Sequence, residues 1–155
     1  MKNKRTLISL TVALLLLVCV SVYAQVRRPY RNGSVWNVSF IRMRPGMETA
    51  YLNYLATDWK RLMEEQKREG LILSYKVLTT EAHGTNDFNL LLMTEYRDMA
   101  TLEANEQRED ALSQRVVGND QRQMQGYRER LEIREVMGGR LAREIVLEPR
   151  SQAPR

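Results

Sequence analysis

Four stretches of the chain alternate apolar and polar side chains, and each predicts a β-strand. We place these strands over residues 35–44, 71–79, 88–96 and 140–147. In the first strand, one side carries Trp36, Val38 and Phe40, and the other carries Val35, Asn37, Ser39, Ile41 and Met43. Pro45-Gly46 follows this strand, and a turn-rich segment over 80–87 joins the second and third strands into a hairpin.

Between the strands, apolar residues recur at three- and four-residue steps, which is the spacing of one helix face. This pattern predicts a helix over 47–69, ended by Gly70, with an aromatic and aliphatic stripe of Met47, Tyr51, Tyr54, Leu55, Trp59, Leu62 and Met63. A second helical region over 97–117 is interrupted by Gly118-Asn119-Asp120. We expect Asp120 to cap a further helix over 120–136, ended by Gly138-Gly139, with an apolar side of Met124, Tyr127, Leu131 and the aliphatic stem of Arg134.

The predicted order is β-α-β-β-α-β with a split second helical region, which is the ferredoxin-like α+β plan with a four-stranded antiparallel sheet. Helices cover one face of such a sheet. The second face is also predicted to be apolar, with Ile41, Met43, Ile72, Leu78, Leu91 and Met93. We expect the same face of a second copy to cover it, giving a homodimer.

The N-terminal segment has the features of a signal peptide. Lys2, Lys4 and Arg5 precede an apolar stretch over 7–20, and Val22-Tyr23-Ala24 predicts cleavage before Gln25. The alternative is an uncleaved membrane anchor, since no charged residue occurs over 6–26. We therefore expect a signal peptide over 1–24, a flexible lead-in over 25–34, the domain over 35–149 and a disordered tail over 150–155, with export to the periplasm or the medium.

The charge distribution argues against a nucleic-acid-binding role. The chain has 24 Lys and Arg against 19 Asp and Glu, but residues 32–149 hold 16 basic and 19 acidic residues, a balance of −3. Cys19 is the only cysteine and lies in the predicted signal peptide, so disulfides and cysteine-ligated metals are not expected. His83 is the only histidine and falls in a predicted loop, where solvation is the simpler interpretation.

The chain resembles the dimeric α/β-barrel superfamily, which includes the antibiotic-biosynthesis monooxygenase-like proteins. The resemblance covers about 35–149 and lies in Arg42-Met43-Arg44-Pro45-Gly46, the helix after it, the hairpin over 71–96 and Gly138-Gly139-Arg140-Leu141. It implies two sheets packed across a two-fold axis. Haem-degrading members use an Asn on the first strand, which Asn37 resembles, but also a helical His, and 97–136 contains none.

Six polar side chains are predicted on the barrel-facing side of the sheet and are the candidates for a small-molecule pocket: Asn37, Ser39, Ser74, Lys76, Asn89 and Glu95. The alternative is that Lys76 and Glu95 form an ion pair at the sheet edge and the others contact water or the partner. Arginines over 122–134 alternate with Glu129, Glu132 and Glu135, which is typical of a solvated helix surface rather than an anion site.

These observations favour an exported homodimeric α/β-barrel protein of unassigned activity, which either binds an apolar small molecule in the barrel or simply assembles. The alternative is a cofactor-independent monooxygenase-like enzyme acting on a small aromatic substrate, which needs chiefly an apolar pocket with a few orienting polar groups. Neither interpretation calls for a cofactor, a metal or a nucleic acid, and a membrane partner follows only if the N-terminal segment is not cleaved.

Overall fold

A computed structural model describes residues 29–84 and 86–148. The predicted signal peptide and the tail over 150–155 lie outside these residues. Within them the chain forms four strands and six helical segments: β1 (Tyr30–Met43), α1 (Glu48–Tyr54), a π-helical turn (Leu55–Trp59), α2 (Lys60–Arg68), β2 (Ser74–Thr79), β3 (Leu90–Tyr96), α3 (Met99–Ala104), α4 (Glu106–Val116), α5 (Asp120–Leu131) and β4 (Arg134–Leu147).

The four strands form one sheet in the order β2-β3-β1-β4. The pairs β1–β3 and β2–β3 are antiparallel. On the other side of β1, the Arg44 N–H donates to the Ile133 carbonyl oxygen at 3.0 Å, and Arg42 forms an ion pair with Glu135. This strand order and the β-α-β-β-α-β connections confirm the predicted ferredoxin-like α+β fold.

The first helix is continuous from Glu48 to Arg68 across the π-helical turn, within one residue of its predicted ends at both termini. Gly70 adopts a left-handed φ of 70° just past its end. The Gly70 N–H donates to the Lys67 carbonyl oxygen, and the Leu71 N–H donates to that of Gln66. These two bonds satisfy carbonyls that the helix end would otherwise leave without donors, and they turn the chain back toward the sheet.

Two clusters of buried residues join the helices to one face of the sheet. The first cluster is Val35, Met63, Leu71, Ile72, Tyr96 and Leu112. The second is Ile41, Met43, Tyr51, Leu55 and Leu90. Trp59, the last residue of the π-helical turn, packs against both clusters and therefore links the two halves of the core.

The last helix and the last strand differ from their predicted bounds. The helix ends at Leu131 rather than 136, and β4 begins at Arg134 rather than 140, so Gly138-Gly139 lies inside the strand. The residues after Leu131 become strand because their backbone pairs with β1 instead of continuing the helix. The N-cap is Asn119, not Asp120: its side chain accepts from the Arg122 N–H at 3.0 Å. The predicted apolar side of the helix is mostly exposed, as Met124, Tyr127 and Leu131 are 55%, 44% and 37% accessible.

The chain divides into two compact units, and Asn32–Val146 is the larger. Of the smaller unit the structure describes Pro29–Arg31, Leu147 and Glu148, where Arg31 pairs with Glu148 at 3.0 Å. Strand β1 begins at Tyr30, inside the segment predicted to be a flexible lead-in. In the described part of the chain, no helix has the length and apolar character needed to cross a membrane.

Candidate functional site

The sheet has an open face, which we define by its apolar residues Trp36, Val38, Phe40, Leu78, Leu91, Met93 and Met137. The register pairs Val38 with Met93 and Phe40 with Leu91, and places Leu78 opposite Leu91. Met137 joins them because it lies two residues beyond Glu135, the partner of Arg42. Both buried clusters take their β1 and β3 residues from the other face, so these side chains remain accessible.

The open face differs from the predicted one in its β1 residues and in Ile72, which precedes the start of β2 at Ser74. Ile41, Met43 and Ile72 were expected there, but all three are buried in the helix-covered core. Leu78, Leu91 and Met93 do lie on the open face, together with the other side of β1. The prediction was wrong for β1 because period-two alternation separates the two sides of each strand but does not fix which sides of neighbouring strands coincide.

This register also divides the six predicted pocket residues. Asn37 and Ser39 pair with Thr94 and Leu92 on the helix side of the sheet, and Asn37 remains exposed there. Asn89 has a structural role, since its side-chain oxygen accepts from the Met43 N–H at 2.8 Å. The six residues therefore do not converge on one pocket.

Ser74, Lys76 and Glu95 do lie together on the open face. The Ser74 hydroxyl donates to Glu95 at 2.5 Å, and the Lys76 ammonium lies 4.9 Å from the centre of the Trp36 ring. Within the described ranges Lys76 and Glu95 thus have separate partners rather than forming the ion pair considered from the sequence. Arg42 and Glu135 add a second polar group to this face.

A cleft that the sequence did not reveal lies between the first helix and α5. It consists of two adjoining hollows of about 250 and 460 Å³ that share Tyr54, Leu62, Val117 and Arg130 as lining residues. Asp58 from the π-helical turn lines the smaller hollow. We call the two hollows together the helix cleft.

Arg130 lines this cleft beside a tyrosine, and Arg134 packs against two tyrosines next to the cleft without lining either hollow. The Arg130 guanidinium lies 4.8 Å from the centre of the Tyr54 ring. Arg134 lies 5.6 Å from the Tyr51 ring and 5.7 Å from the Tyr127 ring. Arg134 is only 7% accessible, and its Nε and Nη1 have no hydrogen-bond partner among the described residues; the same holds for Nε of Arg130.

The expectation of a solvated helix surface over 122–134 holds for Arg122, Arg128, Glu129 and Glu132, which are exposed, but not for Arg130 and Arg134. Arg134 is buried at the start of a strand, and Arg130 is partly buried against Tyr54. Alternating Arg and Glu residues are as compatible with an exposed helix as with a strand. The sequence pattern therefore does not indicate that Leu131 ends the helix. Burial raises the pKa of Tyr51 to about 12 although the nearby arginine charges oppose the shift, and burial raises the pKa of Tyr54 in the same way.

A partly buried acid lies beside the other half of the core. The Tyr96 hydroxyl hydrogen-bonds to Glu109 of α4, and Oε1 of Glu109 is buried without a partner. Burial raises the pKa of the Glu109 carboxyl, while the bond from Tyr96 acts to lower it. Burial, with the Glu109 charge, raises the pKa of Tyr96 to about 12.

His83 is exposed in the loop between β2 and β3, as predicted, and its backbone N–H donates to Asp87 at 3.2 Å. Among residues 29–84 and 86–148, no three His, Cys, Asp or Glu side chains are grouped to hold a metal ion.

No protein-family model and no curated protein matches this chain. A crystal structure of a dimeric ferredoxin-like protein from an uncultured marine organism is similar to it, with 18% sequence identity and a TM-score of 0.44. The match covers 77% of this chain and 98% of that one.

Proposed function

We propose that this protein works as a homodimer in which the open faces of two sheets pack against each other across a two-fold axis. The observation that carries the proposal is the open face itself: seven apolar side chains on four paired strands, with no helix of the described residues packed on them. Apolar surface of this extent on a soluble protein is typical of an interaction site.

The charges of the open face suit a second copy of the same face. Arg42 and Glu135 already pair within one chain, and Lys76 and Glu95 add one charge of each sign. Two identical faces therefore meet without net repulsion. A strongly acidic or basic partner would find no complementary net charge on this surface.

The size of the sheet also suits a stable dimer. Strands of 14, 6, 7 and 14 residues at about 3.3 Å per residue and 4.8 Å spacing span roughly 650 Å² of sheet plane. Side chains standing out of that plane increase the accessible area. A standard interface buries about 800 Å² on each partner, so the open face alone supplies most of what is needed.

The remaining functional proposals rest on this dimer. We propose an apolar small molecule as the ligand of the space between the sheets, where Ser74, Lys76 and Glu95 supply polar groups beside Trp36. The superfamily resemblance supports the same arrangement. We also propose export, supported by the signal-peptide pattern over 1–24; sequencing the N-terminus of the periplasmic or secreted protein should find Gln25 first.

A cofactor-independent monooxygenase remains the alternative proposal. It needs a base beside an apolar pocket. Burial raises the pKa of the Glu109 carboxyl, but Glu109 lines neither hollow of the helix cleft, so this alternative has less support than the dimer. Oxygen consumption with a panel of small phenols, compared between the wild type and Glu109→Gln, tests this alternative. Consumption that depends on Glu109 would favour the enzyme.

The dimer is tested by placing a charge at the centre of the open face. Val38→Lys should turn the dimer into a monomer in light scattering, because a two-fold interface would bury an uncompensated ammonium group in each copy. Asn37→Lys is the matched control, since Asn37 precedes Val38 in the same strand, is exposed and faces the other side of the sheet.

Circular dichroism should show both variants folded, because Val38 is partly accessible and Asn37 exposed in the single chain. A folded Val38→Lys protein with the mass of a dimer would overturn the proposed interface. So would dissociation caused equally by Asn37→Lys.

A further inference from the structure

We propose that the helix cleft binds a small molecule with a carboxylate group and an apolar tail, with Arg130 as the residue that pairs with the carboxylate. This site is separate from the open face of the sheet. It does not depend on how two copies assemble.

Arg130 lines the cleft without an ion-pair partner among the described residues, although the two hollows together carry as many carboxylates as arginines. Arg61, Arg122 and Arg130 line the smaller hollow, and Arg61 forms an ion pair with Asp58 at 3.2 Å. Throughout the described ranges, neither Arg122 nor Arg130 forms an ion pair. Protein interiors pair their charges, so a lining guanidinium without a carboxylate is suited to an anionic ligand.

The carboxylates that line the cleft contact groups other than Arg130. Asp58 pairs with Arg61, and Glu129 accepts a hydrogen bond from Gln125 at 2.9 Å. In the larger hollow, Asp120 accepts from Gln114 at 3.3 Å. None of them forms an ion pair with Arg130.

Arg134 provides the second, independent observation. It is more than nine-tenths buried, and it carries two buried nitrogen donors without partners, beside the Tyr127 ring that lines the larger hollow. Its charge adds to that of Arg130, four residues earlier. Arg134 lines neither hollow, so it would act on an anion in the cleft through its charge, whereas Arg130 would contact the anion.

The apolar walls indicate the rest of the ligand. Leu62 and Val117 line both hollows, Ile133 lines the smaller and Met124 the larger. Met124 is 55% accessible, so it is available to a ligand at no cost to the core. Together the hollows have a volume in the range of small-molecule sites. This volume accommodates a chain of several carbons attached to the ligand's carboxylate.

The π-helical turn helps to form the cleft. It adds one residue to a helical turn, and Asp58 within it and Tyr54 immediately before it both line the smaller hollow. The Thr57 hydroxyl donates to the Asn53 carbonyl oxygen at 2.8 Å. This side-chain bond gives a backbone carbonyl next to the π-helical turn a hydrogen-bond donor. Such turns occur frequently at functional sites.

Octanoate and 1-octanol are the probes, titrated into the full-length protein by isothermal calorimetry. We expect octanoate to bind, and octanol to bind at least about tenfold more weakly, because the hydrogen bonds to a charged carboxylate are lost. Arg130→Gln should weaken octanoate binding by about tenfold or more. Arg122→Gln should weaken it less, since Arg122 is exposed.

The matched control is Arg128→Gln, which removes the same charge from an exposed position of the same helix that lines neither hollow. It should leave octanoate binding unchanged. Equal affinity for octanoate and octanol would overturn the proposal, as would equal losses in Arg130→Gln and Arg128→Gln or no octanoate binding at millimolar concentration. If inorganic phosphate binds as tightly as octanoate, the proposed contact between the ligand's apolar tail and the cleft would be overturned.

The oligomeric state is measured in the same samples. A monomeric wild type that binds octanoate would overturn the dimer and keep this site. A dimer that does not bind octanoate would overturn the carboxylate site and leave the proposed dimer standing.

Discussion

Val38 of β1 lies directly opposite Met93 of β3, and both side chains lie on the open face of the sheet. This pairing places an apolar strip along the centre of the sheet, on the side away from the helices. A lone domain would leave that strip in water. The proposed packing of two copies would remove it from water, and the first prediction below tests this difference.

Trp36 should report the association directly, because it lies on the open face under the Lys76 ammonium. In a Trp59→Phe background Trp36 is the only tryptophan. We expect its emission to shift to longer wavelength on dilution, as the separating copies expose the ring. The shift should disappear in Val38→Lys. An emission maximum independent of concentration in a protein whose mass does fall would place Trp36 outside the interface.

Tyr96→Phe should lower the free energy of unfolding by about 1 kcal/mol at neutral pH, because it leaves a partly buried carboxylate without its hydroxyl donor. Burial already holds the pKa of Glu109 above its usual value, so ionising it costs stability as the pH rises through that pKa. Loss of the Tyr96 bond raises that pKa further. The effect of the substitution should therefore shrink in acid, where Glu109 is protonated.

Urea unfolding at neutral and acid pH measures this difference, and a double-mutant cycle with Glu109→Gln isolates the pair. The coupling should be present at neutral pH and weaker in acid. A Tyr96→Phe effect that is the same at both pH values would show that the hydroxyl does not interact with an ionised Glu109.

Gly70→Ala should cost about 1 kcal/mol, because the φ of 70° at this helix end is unfavourable for any side chain with a Cβ atom. A Cβ added at this position would meet no atom within 4 Å, so the cost is conformational rather than steric. Gly84→Ala is the control, as Gly84 also has open space but no left-handed φ. Thermal unfolding should separate the two variants, and equal midpoints would contradict the assigned helix end.

Arg134→Met should raise the free energy of unfolding by about 1 kcal/mol in the absence of ligand. The buried guanidinium carries a desolvation cost of several kcal/mol. Contacts with the faces of Tyr51 and Tyr127 offset only part of it, at about 0.5–2 kcal/mol each. A more stable variant would favour a role for Arg134 other than folding.

Arg143→Met, at an exposed position of the same strand, should change stability by less than about 0.5 kcal/mol. If Arg134→Met instead destabilised the protein by about 1 kcal/mol or more, Arg134 would be a structural residue and its role beside the helix cleft would lose support.

Much of the fold could be predicted from the sequence, because in several segments the apolar pattern and the flanking turn residues indicate the same secondary structure. The helix from Glu48 to Arg68 has a strict apolar stripe, Pro45-Gly46 before it and Gly70 after it, and its ends lie within one residue of the predicted ones. The strands around the β2–β3 hairpin were also identified, with starts two to three residues later than expected. Local pattern and final structure agree in these segments.

The site was much less predictable, for two physical reasons. Strand β1 is apolar on both sides, so its pairing with β3, rather than its own pattern, decides that Val38 and not Ile41 faces outward. The helix cleft depends on where α5 ends. Residues 130–136 suit helix and strand equally, and only their pairing with β1 buries Arg134.

The most direct test of the proposed homodimer is the solution mass of the wild-type protein, measured by sedimentation equilibrium over a wide range of dilution. We predict twice the mass of one chain at high and intermediate concentration, with dissociation only at the lowest. A soluble, well-folded protein with the mass of a single chain at every concentration would contradict a dimer formed through the open face.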